Sequence, residues 1–289
     1  MNFVLDLKLE SSEVFVCYLN VGGSIALSLG MLFEKMNREL FGLSVKDFKE
    51  AIVTLNDGCH CYDNNSQQDA HELLTKVFDS LSDTFVKYHN KDPIGVWFRS
   101  CQKGIVVCSK CKMSSTNELD KSFVIELCIV GTSLESCVKS HLKTIQVNEL
   151  KCSHCNAIGF CTKSTIVMSS PIVTFMLKRF NNGLEKNHGK VQFPIKDFPI
   201  FNHDCYDLAA IISHRGKEGS IYSGHFVTSI RIGYEWIEFD DNNVSRLNLE
   251  SSTFNWSELW SDAYILVYCR SSDFESLISA KTETCFKNV

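Results

Sequence analysis

A histidine and two acidic residues are the side chains of this sequence best suited to acid–base chemistry. His225 follows Gly224, and Asp240 and Asp241 come where a second strand could bring a carboxylate beside the imidazole. An imidazole can take a proton from a thiol, and a carboxylate that accepts the ring N–H fixes the tautomer and favours the imidazolium. Gly224 would let the backbone of a ligand approach closely. The spacing therefore predicts the base and the orienting carboxylate of a nucleophilic triad.

Two Cys-x-x-Cys pairs predict a structural metal site. The pairs are Cys108 with Cys111 and Cys152 with Cys155. Each pair can present two thiolates to one ion from a tight turn, and four thiolates complete a closed tetrahedral zinc shell that leaves no position for water. The long interval between the pairs predicts two separate hairpins that come together. The alternative is that one pair is a redox dithiol or part of the core.

Other cysteine and histidine residues offer alternatives to this ligand set. His154 and Cys161 lie near the second pair, but either would break the matched spacing. Cys59, His60 and Cys61 also resemble a metal cluster. They are too cramped to surround one ion without another pair, so we interpret them as ordinary residues.

The predicted elements run from helices to strands along the chain. Residues 22–90 have helical periodicity. Short strands are predicted at 95–108 and 122–129, and a helix at 133–142. Residues 191–270 are predicted to be nearly all strand. This order predicts an α+β chain with an insert in its middle.

Composition is that of an ordinary intracellular globular protein. The chain has 289 residues, 44% of them hydrophobic, enough for one large domain or two packed lobes. It has no apolar stretch approaching about 18 residues and no signal peptide at its start, so a cytoplasmic or nuclear location with reduced cysteines is expected. A formal net charge of −5 predicts no binding to nucleic acid or to membranes, and it suits a partner with a basic face.

Several motifs occur in the order that is typical of one enzyme family. Residues 67–74, with the sequence Gln-Gln-Asp-Ala-His-Glu-Leu-Leu, resemble the glutamine–aspartate box of the ubiquitin-specific proteases, which are papain-like deubiquitinases. The similarity runs from about residue 20 to about residue 270. The further matching segments are the two cysteine pairs, Pro171 with 177–180, 191–194, 206–208 with 211–214, 222–226, 236–244 and 261–266.

The resemblance implies an α+β fold, the papain-like cysteine protease fold of ubiquitin-specific protease type, with its first thumb helix missing or replaced. The implied parts are a divergent segment at 1–20, a helical thumb at about 21–92, zinc-ribbon fingers at about 93–180, an antiparallel β palm at about 181–270 and a polar tail at 271–289. Together, residues 21–270 would form the catalytic domain.

The same resemblance implies a partner and a role for each site residue. Ubiquitin, or a ubiquitinated protein, would be held by the fingers, with the ubiquitin tail between thumb and palm. His225 corresponds to the general base and Asp240 to the residue that orients it. Asp241 corresponds to a residue that can replace Asp240 or stabilise the transition state. Zn2+ would be structural and bound by the two cysteine pairs.

The beginning of the chain departs from the family pattern. The family's nucleophile lies in a Gly-Asn-Thr-Cys box where a helix begins, which lowers the thiol pKa, and this sequence contains no such box. In one alignment Ile25 takes the nucleophile's place, and in a better one the box would precede Met1. Cys17 lies in an apolar run, where a thiol is a poor nucleophile, and Cys59 and Cys61 would face His225 only by accident.

Three functions remain open, and with them the question of enzyme activity. The first is a catalytically inactive, ubiquitin-binding pseudoprotease. The second is a truncated form of an active thiol-dependent deubiquitinase that cleaves ubiquitin isopeptide bonds, which the intact His225 and Asp240 favour. The third is a zinc-ribbon scaffold without ubiquitin function, which explains only the four cysteines. For the chain as given, we expect no catalysis.

Overall fold

The structure of this chain, a computed structural model, describes residues 28–29, 68–116, 120–168, 170–181, 185–201, 204–216, 224–249 and 251–274. These residues fall into two compact units. The first unit holds those up to Trp97, together with Ile232–Glu235 and the residues from Asp273 onward. The second unit holds Phe98–Arg231 and Trp236–Ser272.

Helix α1, Ala70–His89, is the main described element of the first unit. The carboxylate of Asp69 accepts a hydrogen bond of 2.8 Å from the backbone N–H of His71, which satisfies one of the donors left over at a helix start. The helix ends at Asn90, whose φ of 53° is left-handed. The helical prediction is confirmed here, whereas most of residues 22–67 lies outside the described residues.

Helix α2, Pro93–Phe98, occupies a stretch for which the sequence predicted a strand. Its β-branched and aromatic side chains favour a strand, but Pro93 has the φ that a first helical turn requires. In addition, the carboxylate of Asp92 accepts a hydrogen bond of 2.7 Å from the backbone N–H of Gly95. These start signals outweigh side-chain propensity, so the prediction for 95–98 was wrong.

The second unit contains a small antiparallel sheet of five strands. With strands numbered along the chain, these are β1 (Ser100–Cys108), β2 (Ser114–Thr116), β3 (Asp120–Ser122), β5 (Ile145–Val147) and β6 (Cys161–Met168). Their order is β2-β1-β6-β5, and β3 also pairs with β1. Strands β1 and β6 pair from Cys101 opposite Met168 to Cys108 opposite Cys161, so the longest ladder leads to the first cysteine pair.

A larger sheet of eight strands forms the rest of this unit. Its strands are β4 (Ile125–Leu127), β7 (Ile172–Leu177), β10 (Phe198–Phe201), β11 (Asp204–Gly216), β12 (Gly224–Ile232), β13 (Glu235–Asp240), β14 (Asn243–Leu247) and β15 (Ala263–Arg270). The order is β14-β13-β12-β11-β15-β7-β4, with β10 beside β11. A separate hairpin pairs β8 (Phe180–Asn181) with β9 (Glu185–Lys186). The strands predicted toward the end of the chain are confirmed.

Two short helices with capped starts complete the second unit. Helix α3, Leu134–Leu142, confirms the helix predicted at 133–142, and it follows Ser133, whose hydroxyl accepts a hydrogen bond from the backbone N–H of Ser136. Helix α4, Trp256–Asp262, interrupts the region predicted as nearly all strand, which was wrong there. Oδ1 of Asn255 accepts a hydrogen bond from the backbone N–H of Glu258, and Nδ2 of Asn255 donates to Oε2 of Glu258. This Asn-x-x-Glu signal accounts for the helix. No described helix is long and apolar enough to cross a membrane.

The core of the second unit surrounds the middle of the large sheet. Every residue of β7 is buried, as expected for a strand that is covered on both faces. Two buried tyrosines satisfy their hydroxyls: Tyr206 donates to the carbonyl of Ser170 at 3.0 Å and Tyr268 to that of Pro194 at 2.7 Å. The central strands are therefore tied to their surroundings, and β12 pairs with one of them, β11.

Arg179 ties several loops of the second unit together. Its side chain is fully buried, and burial lowers the pKa of its guanidinium to about 10. The guanidinium donates to four backbone carbonyls, those of Ala263, Asn187, Gly189 and Trp260, at 2.5 to 2.9 Å. Because a buried guanidinium is costly unless its donors are satisfied, this position depends on the segment 187–189 and on the junction of α4 and β15 being in place.

Candidate functional site

The four predicted zinc ligands lie together in the small-sheet region. The Sγ atoms of Cys108 and Cys155 are 3.7 Å apart, and those of Cys111 and Cys152 are 3.6 Å apart. All four sulfurs lie within 4.8 Å of one another. A tetrahedral zinc with bonds of about 2.3 Å places its sulfur ligands about 3.8 Å apart. The observed spacing fits a four-thiolate zinc site.

The two cysteine pairs adopt the same backbone turn. In the first, the N–H of Lys112 donates to the carbonyl of Cys108 at 2.8 Å, and in the second the N–H of Asn156 donates to that of Cys152 at 3.0 Å. Lys112 and Asn156 both have left-handed φ angles, 61° and 58°. Two equivalent turns that face one another are what a zinc knuckle requires, whereas a redox dithiol requires only one.

The pKa values of the clustered cysteine thiols also favour a bound cation. The backbone N–H of Cys111 favours the Cys108 thiolate and helps lower the Cys108 pKa to about 6, and backbone N–H groups lower the pKa of Cys152. At Cys111 the N–H of Met113 favours the thiolate, but burial and the neighbouring sulfurs raise the pKa to about 12. Four thiols this close cannot all ionise by themselves, and a bound Zn2+ would remove that conflict.

The alternative ligands are separate from this set. Cys161 is buried directly across the ladder from Cys108, and burial raises the pKa of its thiol. His154 takes part through its backbone N–H, which lies 3.4 Å from the Cys152 sulfur. Among the described residues, neither side chain joins the group of mutually close ligand atoms. Cys59, His60 and Cys61 lie outside the described residues.

His225 and Asp240 meet on the large sheet. His225 is the second residue of β12, Asp240 is the last residue of β13, and the two strands are neighbours. Nε2 of His225 and Oδ1 of Asp240 are 2.6 Å apart. A carboxylate only accepts hydrogen bonds, so Nε2 carries the proton and Nδ1 is the nitrogen that can act as a base. The structure thus places the two side chains in the geometry that the sequence predicted.

Asp241 lies beside the pair but is less engaged. It occupies the turn between β13 and β14 with a left-handed φ of 51°. Its Oδ2 is 3.9 Å from Nε2 of His225, and its side chain is 80% exposed, against 35% for Asp240. Asp240 is therefore the carboxylate that orients the ring in this structure.

Gly224 has a structural reason to precede His225. A Cβ at this position would lie inside van der Waals contact with the ring of His214 and close to the carbonyl of Arg215. The His214 ring is buried against Phe226 in an edge contact with centroids 4.8 Å apart. The glycine therefore makes room for a neighbouring side chain of the protein, where the sequence suggested only room for a ligand.

Two charged residues that sequence reasoning did not identify complete the site. Arg215 lies directly across from His225 in the ladder of β11 and β12. Its Nη2 is 2.7 Å from Oε2 of Glu238, and its Nη1 is 3.5 Å from Oδ2 of Asp240. Glu238 shares a strand face with Asp240 because residues two apart point the same way. Only the pairing register connects these positions: Glu238 lies in the matching segment 236–244, but nothing in the sequence links it to Arg215.

Comparison with known proteins identifies the family of the chain. The family model described as ubiquitin carboxyl-terminal hydrolase matches residues 6–268. The chain belongs to the ubiquitin carboxyl-terminal hydrolase family. Ubiquitin carboxyl-terminal hydrolase 17 of Arabidopsis thaliana is 26% identical over 71% of this chain and 30% of its own length. The probable ubiquitin carboxyl-terminal hydrolase 9 of Schizosaccharomyces pombe is 27% identical over 79% of this chain and 43% of its own length.

Solved structures of Ubp8 share the fold of this chain. The SAGA DUB module Ubp8/Sgf11/Sus1/Sgf73 bound to monoubiquitin matches with a TM-score of 0.72 and 21% identity, over 93% of this chain and 66% of that one. A second Ubp8 module, bound to ubiquitin aldehyde, matches with a TM-score of 0.68 and 22% identity, over 91% and 61%. The predicted α+β, papain-like fold of ubiquitin-specific protease type is confirmed.

The hydrolase-family chain is shorter than the proteins it matches. It spans less than half the length of these two curated relatives and under two thirds of the matched Ubp8 chains. Cys17, the one thiol considered as a nucleophile near the start, lies outside the described residues. The described part of the candidate site therefore comprises His225, Asp240 and Asp241 and the cluster of four cysteines.

Proposed function

We propose that this chain is a ubiquitin-binding domain whose His225 and Asp240 form the base and orienting half of a thiol-protease site, and that the chain as given does not itself cleave ubiquitin conjugates. The observation that carries this proposal is the 2.6 Å contact between Nε2 of His225 and Oδ1 of Asp240. It joins residues from two strands in the arrangement that activates a thiol in this class of enzyme.

The chemistry of the pair follows from its two ring nitrogens. With its Nε2 proton donated to Asp240, His225 has Nδ1 available to take the proton of a thiol. The carboxylate of Asp240 then stabilises the imidazolium that forms and keeps the ring from turning. Asp241 is close to Nε2 but exposed, and we assign it one of two roles: it stabilises the transition state, or it can replace Asp240. Without a thiol on the Nδ1 side, the pair can give only weak assistance to water, far below an intact triad.

Ubiquitin is the proposed partner. The matched Ubp8 structures contain monoubiquitin or ubiquitin aldehyde. We assign the same ligand to this chain, with the thumb at about 21–92, the fingers at about 93–180 and the palm at about 181–270. Zn2+ bound by the four cysteines would cross-link the fingers. In the family, the helix that begins at the nucleophile would form one wall of the cleft for the ubiquitin tail. This sequence contains no Gly-Asn-Thr-Cys box to begin that helix, so its contacts with the tail are lost. Affinity for ubiquitin should therefore be no better than micromolar, a binding free energy of about −8 kcal/mol.

A second candidate function is supported by the same pair. An active thiol-dependent deubiquitinase needs the His225–Asp240 contact that this structure retains. In that case another cysteine, Cys17 being the first to test, would supply the thiolate. The proposed location for either function is the cytoplasm or the nucleus, which agrees with free cysteines that can bind zinc.

Two measurements on the purified chain test the proposal. Titration of labelled ubiquitin should show binding near micromolar concentration, and no binding at millimolar concentration would contradict it. A ubiquitin probe with a thiol-reactive group at its C-terminus should leave the chain unlabelled, and a fluorogenic ubiquitin substrate should stay intact. Labelling that is lost in Cys17→Ser but kept in the control Cys128→Ser, an exposed cysteine, would establish the second candidate.

A further inference from the structure

Four charged or ionisable side chains lie on one face of the large sheet. Arg215 of β11 and His225 of β12 are directly opposite each other in the ladder. Glu238 and Asp240 alternate on β13 so that both point to one face. They come from three adjacent strands, so the pairing register decides whether they meet.

The contacts among these side chains form an unbroken series. Oε2 of Glu238 is 2.7 Å from Nη2 of Arg215, and Nη1 of the same guanidinium is 3.5 Å from Oδ2 of Asp240. The other oxygen of Asp240 is 2.6 Å from Nε2 of His225. Each oxygen of Asp240 therefore has its own partner, and each amino group of Arg215 has its own carboxylate.

We propose that Arg215, anchored by Glu238, is a positioning residue that holds the Asp240 carboxylate against His225. The inference rests on the proposed function, since holding Asp240 matters to the chemistry only if His225 acts as the base. The guanidinium of Arg215 binds the two carboxylates, and its effect on the imidazole is transmitted through Asp240.

The position of Asp240 explains why it needs a second contact. Asp240 is the last residue of its strand, and the left-handed turn residue Asp241 follows it. Regular strand structure therefore holds the chain before Asp240 but not after it. Its side chain is 35% exposed and could rotate toward water. A guanidinium on Oδ2 opposes that rotation and leaves Oδ1 facing the imidazole. The planar fork of arginine suits this task because it can contact two carboxylates at once.

Glu238 supplies the anchor. Its side chain is only 14% exposed, the lowest value of the four, and its contact with Arg215 is the shorter of the two arginine contacts. Without Arg215, two carboxylates on the same face, about 7 Å apart along the strand, would repel each other. The charged groups that face Asp240 are then His225, Arg215, Glu238 and the neighbouring Asp241.

Nuclear magnetic resonance of the imidazole N–H proton tests the proposal on the full, zinc-loaded chain. With 15N-labelled histidine, the Nε2 proton of His225 should give a downfield resonance that His225→Gln removes. In Arg215→Met and Glu238→Gln, we expect this proton to exchange with water about tenfold faster or more, as when a charge-assisted hydrogen bond is weakened. Arg215→Lys should give an intermediate rate, because an ammonium ion can satisfy only one of the carboxylates well.

The matched control is Arg246→Met, which removes a charge from the exposed, neighbouring strand β14. It should leave the proton's exchange unchanged. Wild-type exchange in both Arg215→Met and Glu238→Gln would overturn the proposal and leave Arg215 as a neutralising partner of Glu238. A wild-type spectrum without the resonance would also overturn it, because the contact would not persist. If Arg215→Met does not fold, Glu238→Gln and Arg215→Lys decide.

The experiment separates this inference from the proposed function. It uses the free chain and needs no ubiquitin, whereas the function is tested by ubiquitin binding to the wild-type chain. A chain that binds no ubiquitin but shows the expected exchange rates would lose the proposed function and retain the Arg215 contact. A chain that binds ubiquitin with unchanged exchange rates would lose only the role of Arg215.

Discussion

The cysteine cluster and the His225–Asp240 pair are both compact groups of reactive side chains, and they are assembled in different ways. Each half of the cysteine cluster is a single turn, closed by the hydrogen bond of Lys112 or Asn156. The His225–Asp240 pair joins residues 15 positions apart on two strands, with Arg215 from a third. Local backbone geometry makes the halves of the first site, and only strand pairing makes the second.

This difference predicts how each region responds to damage. Loss of one thiol removes a ligand from a centre that cross-links two distant turns, so the small sheet should loosen as a whole. Loss of a side chain at the pair leaves the backbone ladder intact. The large sheet has its own cross-link in Arg179, which joins the segment 187–189 to the junction of α4 and β15 without a metal.

The largest effect should come from breaking the zinc site. Cys152→Ser should abolish stoichiometric zinc binding and loosen the small sheet, because the binding energy of such a site is also folding energy. Metal analysis should find one zinc in the wild-type chain and none in the variant, and hydrogen exchange should show lost protection in β1 and β6. The control Cys128→Ser, at an exposed cysteine outside the cluster, should retain the metal. A well-folded wild-type preparation without zinc would contradict the assignment.

Arg179→Met should have the next largest effect. The change removes one donor from each of four backbone carbonyls, of which that of Trp260 still accepts from the N–H of Val191, so we expect a loss of about 3 kcal/mol in the free energy of unfolding. Urea unfolding of the zinc-loaded chain measures it. The control Arg246→Met, on the exposed strand β14, should change the free energy by no more than about 0.5 kcal/mol. Equal effects of the two changes would mean that the arginine is not the cross-link of the large sheet.

Gly224→Ala should have an intermediate effect on stability, and this effect should be confined to the large sheet around His225 and Asp240. The added methyl group meets the ring of His214, and overpacking of this kind costs about 1–3 kcal/mol. The same change in a His214→Ala background should cost much less, because the clash is gone. A double-mutant cycle on thermal unfolding separates the two, and an equal cost in both backgrounds would rule out the clash.

The smallest effect concerns protons at the cysteine cluster. Without metal, the pKa values of Cys108 and Cys152 lie below the ordinary value, about 6 for Cys108, while that of Cys111 is about 12. Near pH 7.5, about one unit below an ordinary thiol pKa, Cys108 is already ionised and Cys111 is not. Zinc should therefore displace fewer than four protons, and a pH indicator in weak buffer counts them. Release of four protons per zinc bound would show that the two turns do not favour the thiolates in the metal-free chain.

The pH dependence of the same centre has a definite sign. A thiol whose pKa is lowered in the folded chain stabilises that chain above its ordinary pKa, and the contribution fades as the pH falls toward the lowered value. For Cys108 this window lies between about pH 9 and about pH 6. Ligand protonation also weakens zinc binding on acidification. Zinc retention should therefore fall as the pH is lowered, most steeply toward about pH 6, where Cys108 takes up its proton.

The elements with local signals were predicted from the sequence, and those decided by competing signals were missed. The helix predicted at 133–142 is present as α3, Leu134–Leu142, and the cysteine pairs form the expected turns. The strand predicted across 95–98 became α2 because Pro93 and a cap outweighed side-chain propensity. Helix α4 was missed although Asn255 and Glu258 mark its start.

What the sequence by itself determined is the set of residues that carry chemistry. The spacing of the cysteines predicted the metal ligands, and the order of the motifs around His225 predicted a base and its carboxylate, because both predictions rest on residue type and on position along the chain. Only the tertiary structure decided that Arg215 and Glu238 join them, that Gly224 makes room for His214, and that Asp240 is closer than Asp241. The physical reason is register: pairing among β11, β12 and β13 determines which distant side chains share a face, and sequence spacing does not encode it.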